Sequence, residues 1–398
     1  MSAAHVIGAG LSGLASAWHL VEHGCAVTVF DRAAKPGGLI QTLHTDHGLV
    51  ETAANAFVRD DVVDGWFTRL GIEPLTPKPH SRRRYIFRDG KPRRWPLRLG
   101  ETATLAVRFG AAAITRGVRA RGTESMAEWG TRVTGPAATE WLLEPAMQGI
   151  YATRASALSA AAIFGGRKRG RRAMVSPPDG MGQFVTALHQ LLISRGVRFE
   201  FNRAVDVLEP GVPTVIATGA PAAARLLAEG APELAAQVRR VRVAPLATVT
   251  MFFEPHPSDT RGFGVLFPQR SGIRALGVLF NADIFDRRSQ ARSETWIIGD
   301  RDLGLTALPD DRLLELIAID RRTFCGRDAT ALSSHITRWP QAVPVYDQAI
   351  VDLQAALPEM RPGVALAGNY VGRIGVAALL SIGEAAAHLA LRTSATKH

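Results

Sequence analysis

Apolar residues open this chain as a short run, Ala4 to Ile7, which stops at Gly8-Ala9-Gly10-Leu11-Ser12-Gly13. Apolar positions at helical spacing follow through Leu20, a second apolar run covers residues 26–30, and Asp31 ends it. The change of period from two to 3.6 and back predicts a strand, a helix and a strand in succession. Similar pieces recur far apart. Residues 48–52 read as a strand, and Asp179-Gly180-Met181-Gly182 as a turn opening a helix over 183–194, with a strand over 197–201. A strand over 214–216 runs through Ala-Thr218-Gly219 into a helix over 221–229, and Val364 to Leu366 leads to Gly368-Asn369-Tyr370 and a helix from about residue 377. Two insertions interrupt the series. Residues 100–165 keep helical periodicity, whereas 243–340 alternate apolar β-formers with turns, at 248–253, 264–267, 277–280 and 295–299. The pattern predicts an α/β chain in three lobes: a discontinuous lobe of 1–75, 172–242 and 341–398, an antiparallel-sheet lobe of 76–99 and 243–340, and a helical lobe of 100–171.

The glycines give the first lobe its chemistry. Gly8 suits a tight turn, Gly10 lets backbone approach a pyrophosphate, and Gly13 lets the helix pack against the strand. The helix that starts at Leu11 and Ser12 offers its N–H groups to phosphate. Asp31, at the end of the second strand, is placed to bind a ribose. Arg32 and then Lys35-Pro36-Gly37-Gly38, with Thr42 beyond, form a second glycine pair that an extended FAD needs and a nicotinamide dinucleotide does not. A plain surface turn is the competing reading of Gly37 and Gly38.

At 398 residues, 46% hydrophobic and with mean hydropathy near zero, the chain reads as a large globular protein of more than one core. Only Cys25 and Cys325 are present, so a disulfide framework is excluded and a reducing cytoplasm is the expectation. No uncharged apolar stretch reaches the length of a membrane span; the best candidate, 374–391, holds Glu384 and His388. The eleven histidines show no metal-ligand spacing, and no metal is expected. The net charge of +11 is almost wholly arginine. Arg82, Arg83, Arg84, Arg88, Lys91, Arg93, Arg94 and Arg98 cluster, and Arg167 to Arg172 forms a second block. Such blocks suit a carboxylate-bearing substrate or an anionic membrane surface, and without a nucleic-acid motif beside them no nucleic acid is expected.

Against this background Arg84-Tyr85-Ile-Phe-Arg-Asp89-Gly90 with Pro96, Leu143-Glu144-Pro145 with Gly149-Ile150-Tyr151-Ala152, Gly180-Met-Gly-Gln183, Arg338-Trp339-Pro340-Gln341 and Gly368-Asn369-Tyr370 resemble the protoporphyrinogen and coproporphyrinogen oxidases of the FAD-dependent amine oxidase superfamily. The resemblance implies a FAD-binding Rossmann-type (GR2-like) domain, an antiparallel substrate domain and a helical lobe that contacts membrane. It implies FAD as cofactor and desaturation of a porphyrinogen, with hydride passing to flavin N5, loss of a pyrrole proton, and reoxidation by oxygen or another acceptor. Cofactor contacts are then expected at Gly8–Gly13, Asp31, Arg32, Gly37, Gly38, Ala53, Ala54, Asn55, Ala56, Val205, Gly368, Asn369, Gly375, Val376 and Ala377. Val205 would hold adenine through its backbone, and the helix opening at Gly375–Ala377 would face the N1 end of the flavin. Arg84 would meet a substrate propionate, with a solvated arginine as the competing reading. Phe263, Phe267 and Phe280 would face the macrocycle, with core packing as the competing reading of each. Glu51 is expected to be structural, and no proton acceptor is assigned. Peripheral contact with the inner face of the cytoplasmic membrane, and a homodimer, stay open.

The chain also departs from the pattern. The interval from Val205 to Val215 has no room for a β-meander beside the adenine, Ala53 and Ala54 replace glycine or proline, and Arg373 takes a small-residue position. These changes leave room for an oxidase or desaturase of another metabolite. An amine oxidase that uses a lysine beside the flavin is opposed by the absence of lysine from 169 to 396. A non-catalytic binding protein resembling the Rab escort and GDP dissociation inhibitor proteins is opposed by the intact glycines and Asp31.

Overall fold

The computed structural model describes residues 2–164, 173–299, 304–359 and 362–392; the basic block from Arg167 to Arg172 lies outside them. Short runs rich in Val, Ile and Phe form a five-stranded parallel sheet in the order β16 (Val364–Leu366), β10 (Thr214–Ile216), β1 (Ala3–Ile7), β2 (Ala26–Phe30), β9 (Arg198–Glu200). Successive residues feed two cores. Val6, Val215 and Ala365 face one, with α1 (Leu11–Glu22), α2 (Asp61–Leu70), α8 (Met181–Ser194) and α14 (Val376–Ala390). Ile7, Ile216 and Leu366 face the other, with α9 (Ala220–Leu226), α10 (Pro232–Arg240) and α13 (Gln348–Ala356). Burial on both faces explains why these strands read as continuous apolar runs. Among the described residues no strand lies between Glu200 and Thr214.

The second sheet has seven strands in the order β15 (Ser333–Pro344), β11 (Val243–Phe253), β14 (Arg292–Gly299), β13 (Gly277–Phe280), β12 (Gly264–Leu266), β6 (Arg84–Arg88), β7 (Lys91–Arg93). Three features differ from the sequence expectation. β6 pairs with β12 in parallel, because it joins from a segment far earlier in the chain rather than through a hairpin. β15 runs past residue 340 to Pro344, so one continuous strand leaves the sheet lobe. The region also contains α12 (Asp310–Cys325), whose Leu313, Leu316, Ile317 and Phe324 bury against the sheet, and the short α11 (Asn281–Ile284).

Residues between the sheets make the helical lobe: α3 (Leu99–Ile114), α4 (Met126–Val133), α5 (Pro136–Ala138), a π-helical turn Thr139–Leu143, α6 (Glu144–Tyr151) and α7 (Ala160–Phe164). Two small pairings add to the first lobe: the hairpin of β3 (Thr42–Thr45) and β4 (Gly48–Glu51), and β5 (Phe57–Val58) with β8 (Met174–Val175), which joins two of its separate stretches.

Candidate active site

The loop after β1 is shaped by contacts that no side chain could share. A Cβ on Gly13 would lie 1.9 Å from the Gly8 carbonyl oxygen, and one on Gly8, at φ +111°, 2.6 Å from the oxygen of Ala217. Gly10 is different: a Cβ there meets nothing within 4 Å. It is the residue that precedes α1, no side chain among the described residues caps that helix, and no acid stands in its first turn. Its N–H groups and positive end therefore face an open cradle of the kind a pyrophosphate occupies. Gly37 lies against this loop, donating its N–H to Ala9 O at 2.9 Å and bridging to Gly10, and a Cβ on Gly38 would lie 3.5 Å from the Gly10 Cα. Leu11, Ser12 and Gly13 are buried in the first turn, and Arg32 is exposed beside the loop.

Asp31 is oriented by backbone. Its carboxylate accepts from Ala9 N at 2.6 Å and Ala33 N at 2.7 Å, which fixes the group at the mouth of the loop. The segment carrying Val205 runs alongside, because Arg203 N donates to Asp31 O and Asn202 N to Ala33 O. Val205 itself is half-buried and packs on the second core. Ala9, Gly10, Asp31, Gly37 and Val205 thus come to one end of the sheet from three separate stretches of chain.

The other end of the groove runs past β4. Glu51 is buried, accepts from Thr42 Oγ1 at 2.7 Å and caps α8 by accepting from Met181 N at 2.9 Å. Burial pushes its carboxyl above the usual range, against the pull of these bonds and of nearby Arg288. Both oxygens are engaged in holding α8 and the hairpin, which makes Glu51 structural. Ala53, Ala54, Asn55 and Ala56 follow, all half-buried, and Asn55 O accepts from Ser176 Oγ. The Trp339 indole donates to Thr52 O at 2.8 Å, joining β15 to this segment. Asn369 is fixed from both sides: its side chain donates to Ala342 O, and its carbonyl accepts from the Tyr346 hydroxyl at 2.5 Å. Gly368, at φ +147°, leaves no room for a Cβ beside Tyr370. Gly375 precedes α14 at φ +128° and opens onto space, and among the described residues no side chain caps this helix, so Val376 and Ala377 present a second free helix N-terminus. α1 and α14 touch at Gly383, where a Cβ would be 2.6 Å from Ser12 O.

Pleat parity divides the seven-stranded sheet. Val249, Trp296, Val278 and Val265 are in register and face α12. The opposite face carries the row Thr337, Thr248, Ile297, Gly277, Leu266 and Ile86. α6 roofs that row: a Cβ on Gly149 would be 2.6 Å from Leu266 Cδ2. The cleft is therefore bounded by this face, α6, and the Thr52 and Trp339 contact with the cofactor groove. Leu266 and Trp339 were not foreseen as cleft residues, since only register reveals which face they share. Arg84 lies one pleat from Ile86 on the cleft face, exposed, with no ion-pair partner among the described residues. Its guanidinium stacks 4.5 Å from the centroid of half-buried Phe263.

Phe267 and Phe280 are not in the cleft. Both are buried on the α12 side, Phe267 stacked on Trp296 and Phe280 on Phe324, and the parity of the sheet points them away from the opposite, cleft face. Core packing, the competing reading of each, is the correct one. Among the described residues no group of His, Cys, Asp or Glu is arranged to hold a metal ion.

A family model described as flavin containing amine oxidoreductase matches residues 11–378. Protoporphyrinogen oxidase 2, chloroplastic/mitochondrial, of Arabidopsis thaliana is 24% identical, covering 97% of this chain and 93% of its own. Coproporphyrinogen III oxidase of Mycobacterium bovis is 26% identical, covering 94% of each. A crystal structure from Exiguobacterium sp. 255-15, provisionally assigned as a protoporphyrinogen oxidase, superposes with a TM-score of 0.83 at 16% identity, over 97% of this chain and 98% of that one.

Proposed function

This chain belongs to the flavin containing amine oxidoreductase family, and from that membership we propose that it desaturates a porphyrinogen, protoporphyrinogen IX or coproporphyrinogen III, in tetrapyrrole biosynthesis. The protein is an FAD-dependent oxidoreductase. Its groove suits FAD because the Gly10 cradle, the fixed Asp31 carboxylate and the uncapped starts of α1 and α14 match a long, doubly charged dinucleotide. When bound, FAD supplies the two-electron acceptor, and the protein's part is to bind, orient and exclude water. The single observation that carries the substrate reading is Arg84: a guanidinium with no ion-pair partner among the described residues, on the cleft face, one pleat from the row that α6 covers, where a propionate would find a charge-assisted partner. The apolar row of Ile86, Leu266 and Ile297 offers a flat floor to a macrocycle, and Leu266 under α6 keeps water from it.

Relatives named as porphyrinogen oxidases over nearly the whole chain support the same choice. The absence of lysine from 169 to 396 weighs against a lysine-dependent amine oxidase. Anaerobic mixing of the purified holoprotein with each porphyrinogen, following the visible flavin band, tests the reading. Bleaching by one of them establishes the reductive half-reaction and identifies the substrate. A flavin that neither bleaches moves the assignment to another metabolite, and a protein that takes up no flavin favours a binding role.

Peripheral membrane contact belongs to the same reading. α3 has no buried residue; Leu99, Ala103, Val107 and Ile114 fall on one exposed side of it, with Arg94, Arg98, Arg116 and Arg119 near its ends. An apolar face flanked by arginine fits an anionic lipid surface. Among the described residues no helix is long and apolar enough to cross a membrane.

A further inference from the structure

Arg84 and Phe263 are 179 positions apart in sequence, yet the guanidinium lies over the ring. One face of the phenyl group is thereby taken by Arg84. The backbone that carries the ring is in turn held in place. Asp283, almost wholly buried, accepts from Gly262 N at 2.9 Å and from Arg261 Nε at 2.8 Å, and Arg292 approaches it to 3.6 Å. Phe263 N donates to Arg83 O, Phe263 O accepts from Phe280 N, and a Cβ on Gly262 would lie 2.5 Å from Arg83 O. The chain around Phe263 is therefore pinned to β6 on one side and to a buried carboxylate on the other.

We propose that Phe263 is a positioning residue rather than a stacking surface for substrate: secured by Asp283, its ring holds the Arg84 guanidinium at the rim of the cleft in the orientation that meets a substrate carboxylate. A long arginine on an exposed strand otherwise samples many rotamers, and ordering it on binding lowers affinity. A cation on an aromatic face settles that order beforehand. The inference rests on the porphyrinogen reading and deepens it, because it concerns recognition of the propionate and not the redox step.

The test is steady-state kinetics of the holoenzyme with the porphyrinogen that bleaches wild-type flavin. Phe263→Leu and Phe263→Met, which keep apolar volume and remove the ring, are expected to raise KM roughly three- to tenfold with kcat, flavin content and Tm unchanged. Phe263→Tyr, which keeps the ring, restores the wild-type KM. In an Arg84→Gln background Phe263→Leu adds nothing further, because the ring acts only through the guanidinium. Wild-type turnover with an unchanged KM in both ring-less variants, or an effect that persists in the Arg84→Gln background, overturns the positioning role alone. A wild-type flavin that no porphyrinogen bleaches overturns the functional reading and this inference with it.

Discussion

Gly10 and Gly13 stand three residues apart on one loop and are needed for opposite reasons. At Gly13 the space is already filled by Gly8 O, so a methyl group must displace backbone; at Gly10, with φ −73°, alanine fits the main chain and enters only the open cradle. Gly13→Ala is expected to destabilise the flavin-free protein by about 1–3 kcal/mol, in the range of overpacking a close contact. Gly10→Ala is expected to leave that stability within ~0.5 kcal/mol and to lower flavin content. Melting of the apoprotein together with the flavin-to-protein absorbance ratio separates the two; a Gly10→Ala protein with full flavin would show that the pyrophosphate lies elsewhere. Both glycines were legible in the sequence because their spacing is tied to a strand and a helix start. Their separate roles, approach to pyrophosphate at Gly10 and close packing at Gly13, were read there too; the contact that closes the turn at Gly8 was not, since it depends on Ala217, brought beside Gly8 by β10.

At the level of elements, a buried arginine ties the sheet to the helical lobe. Arg88 on β6 is buried, donates to both oxygens of Glu101 on α3 at 2.6 and 2.8 Å, and stacks on Trp141 in the π-helical turn. Glu101 also accepts from Arg98 N, capping its own helix. The bond from Arg88, more than any other influence, holds the Glu101 carboxyl at about 2, below its ordinary 4.5. A carboxyl lowered by folding adds stability that is present above 4.5 and is lost as pH falls toward about 2. Glu101→Gln is therefore expected to cost about 1–3 kcal/mol at neutral pH, because a buried guanidinium loses its charged partner, and the gap from wild type should close as pH falls toward 2. Thermal melts of both proteins from pH 7 downward measure this; a gap independent of pH would mean that the carboxylate charge contributes nothing. Neither partner was linked to the other in the sequence, where Arg88 read as part of a basic run and of the motif from Arg84 to Gly90.

For the molecule as a whole, the exposed stripe of α3 and the arginines around it set the expected behaviour at a surface. Sedimentation with anionic liposomes at low salt should carry the wild-type protein down, and Val107→Glu with Ile114→Glu should leave it in the supernatant with flavin content unchanged, since these side chains are 72% and 86% exposed. A wild-type protein that stays in solution would remove membrane contact from the proposed function. Elevated salt should weaken the binding, because the arginine contribution is screened.

The sequence by itself determined the local units: strand, glycine loop and helix at the start, the returning pieces near 180, 214 and 364, the helical insertion and the strands of the second sheet. Those signals lie within a few turns of chain, where periodicity and turn chemistry act. α12 was legible too, in Leu313, Ile317 and Phe324 at helical spacing, but the strands around it dominated the reading. Tertiary structure alone decided what depends on two distant segments. Period two along β13 shows that Phe280 and Leu279 face opposite ways; only the packing of α12 tells which way is the core, and so Phe267 and Phe280 left the cleft while Leu266 entered it. The parallel entry of β6, the capping of α8 by Glu51 and the seating of Arg84 on Phe263 follow the same logic, because register and cross-lobe contact are properties of the assembled sheet and not of any stretch of residues.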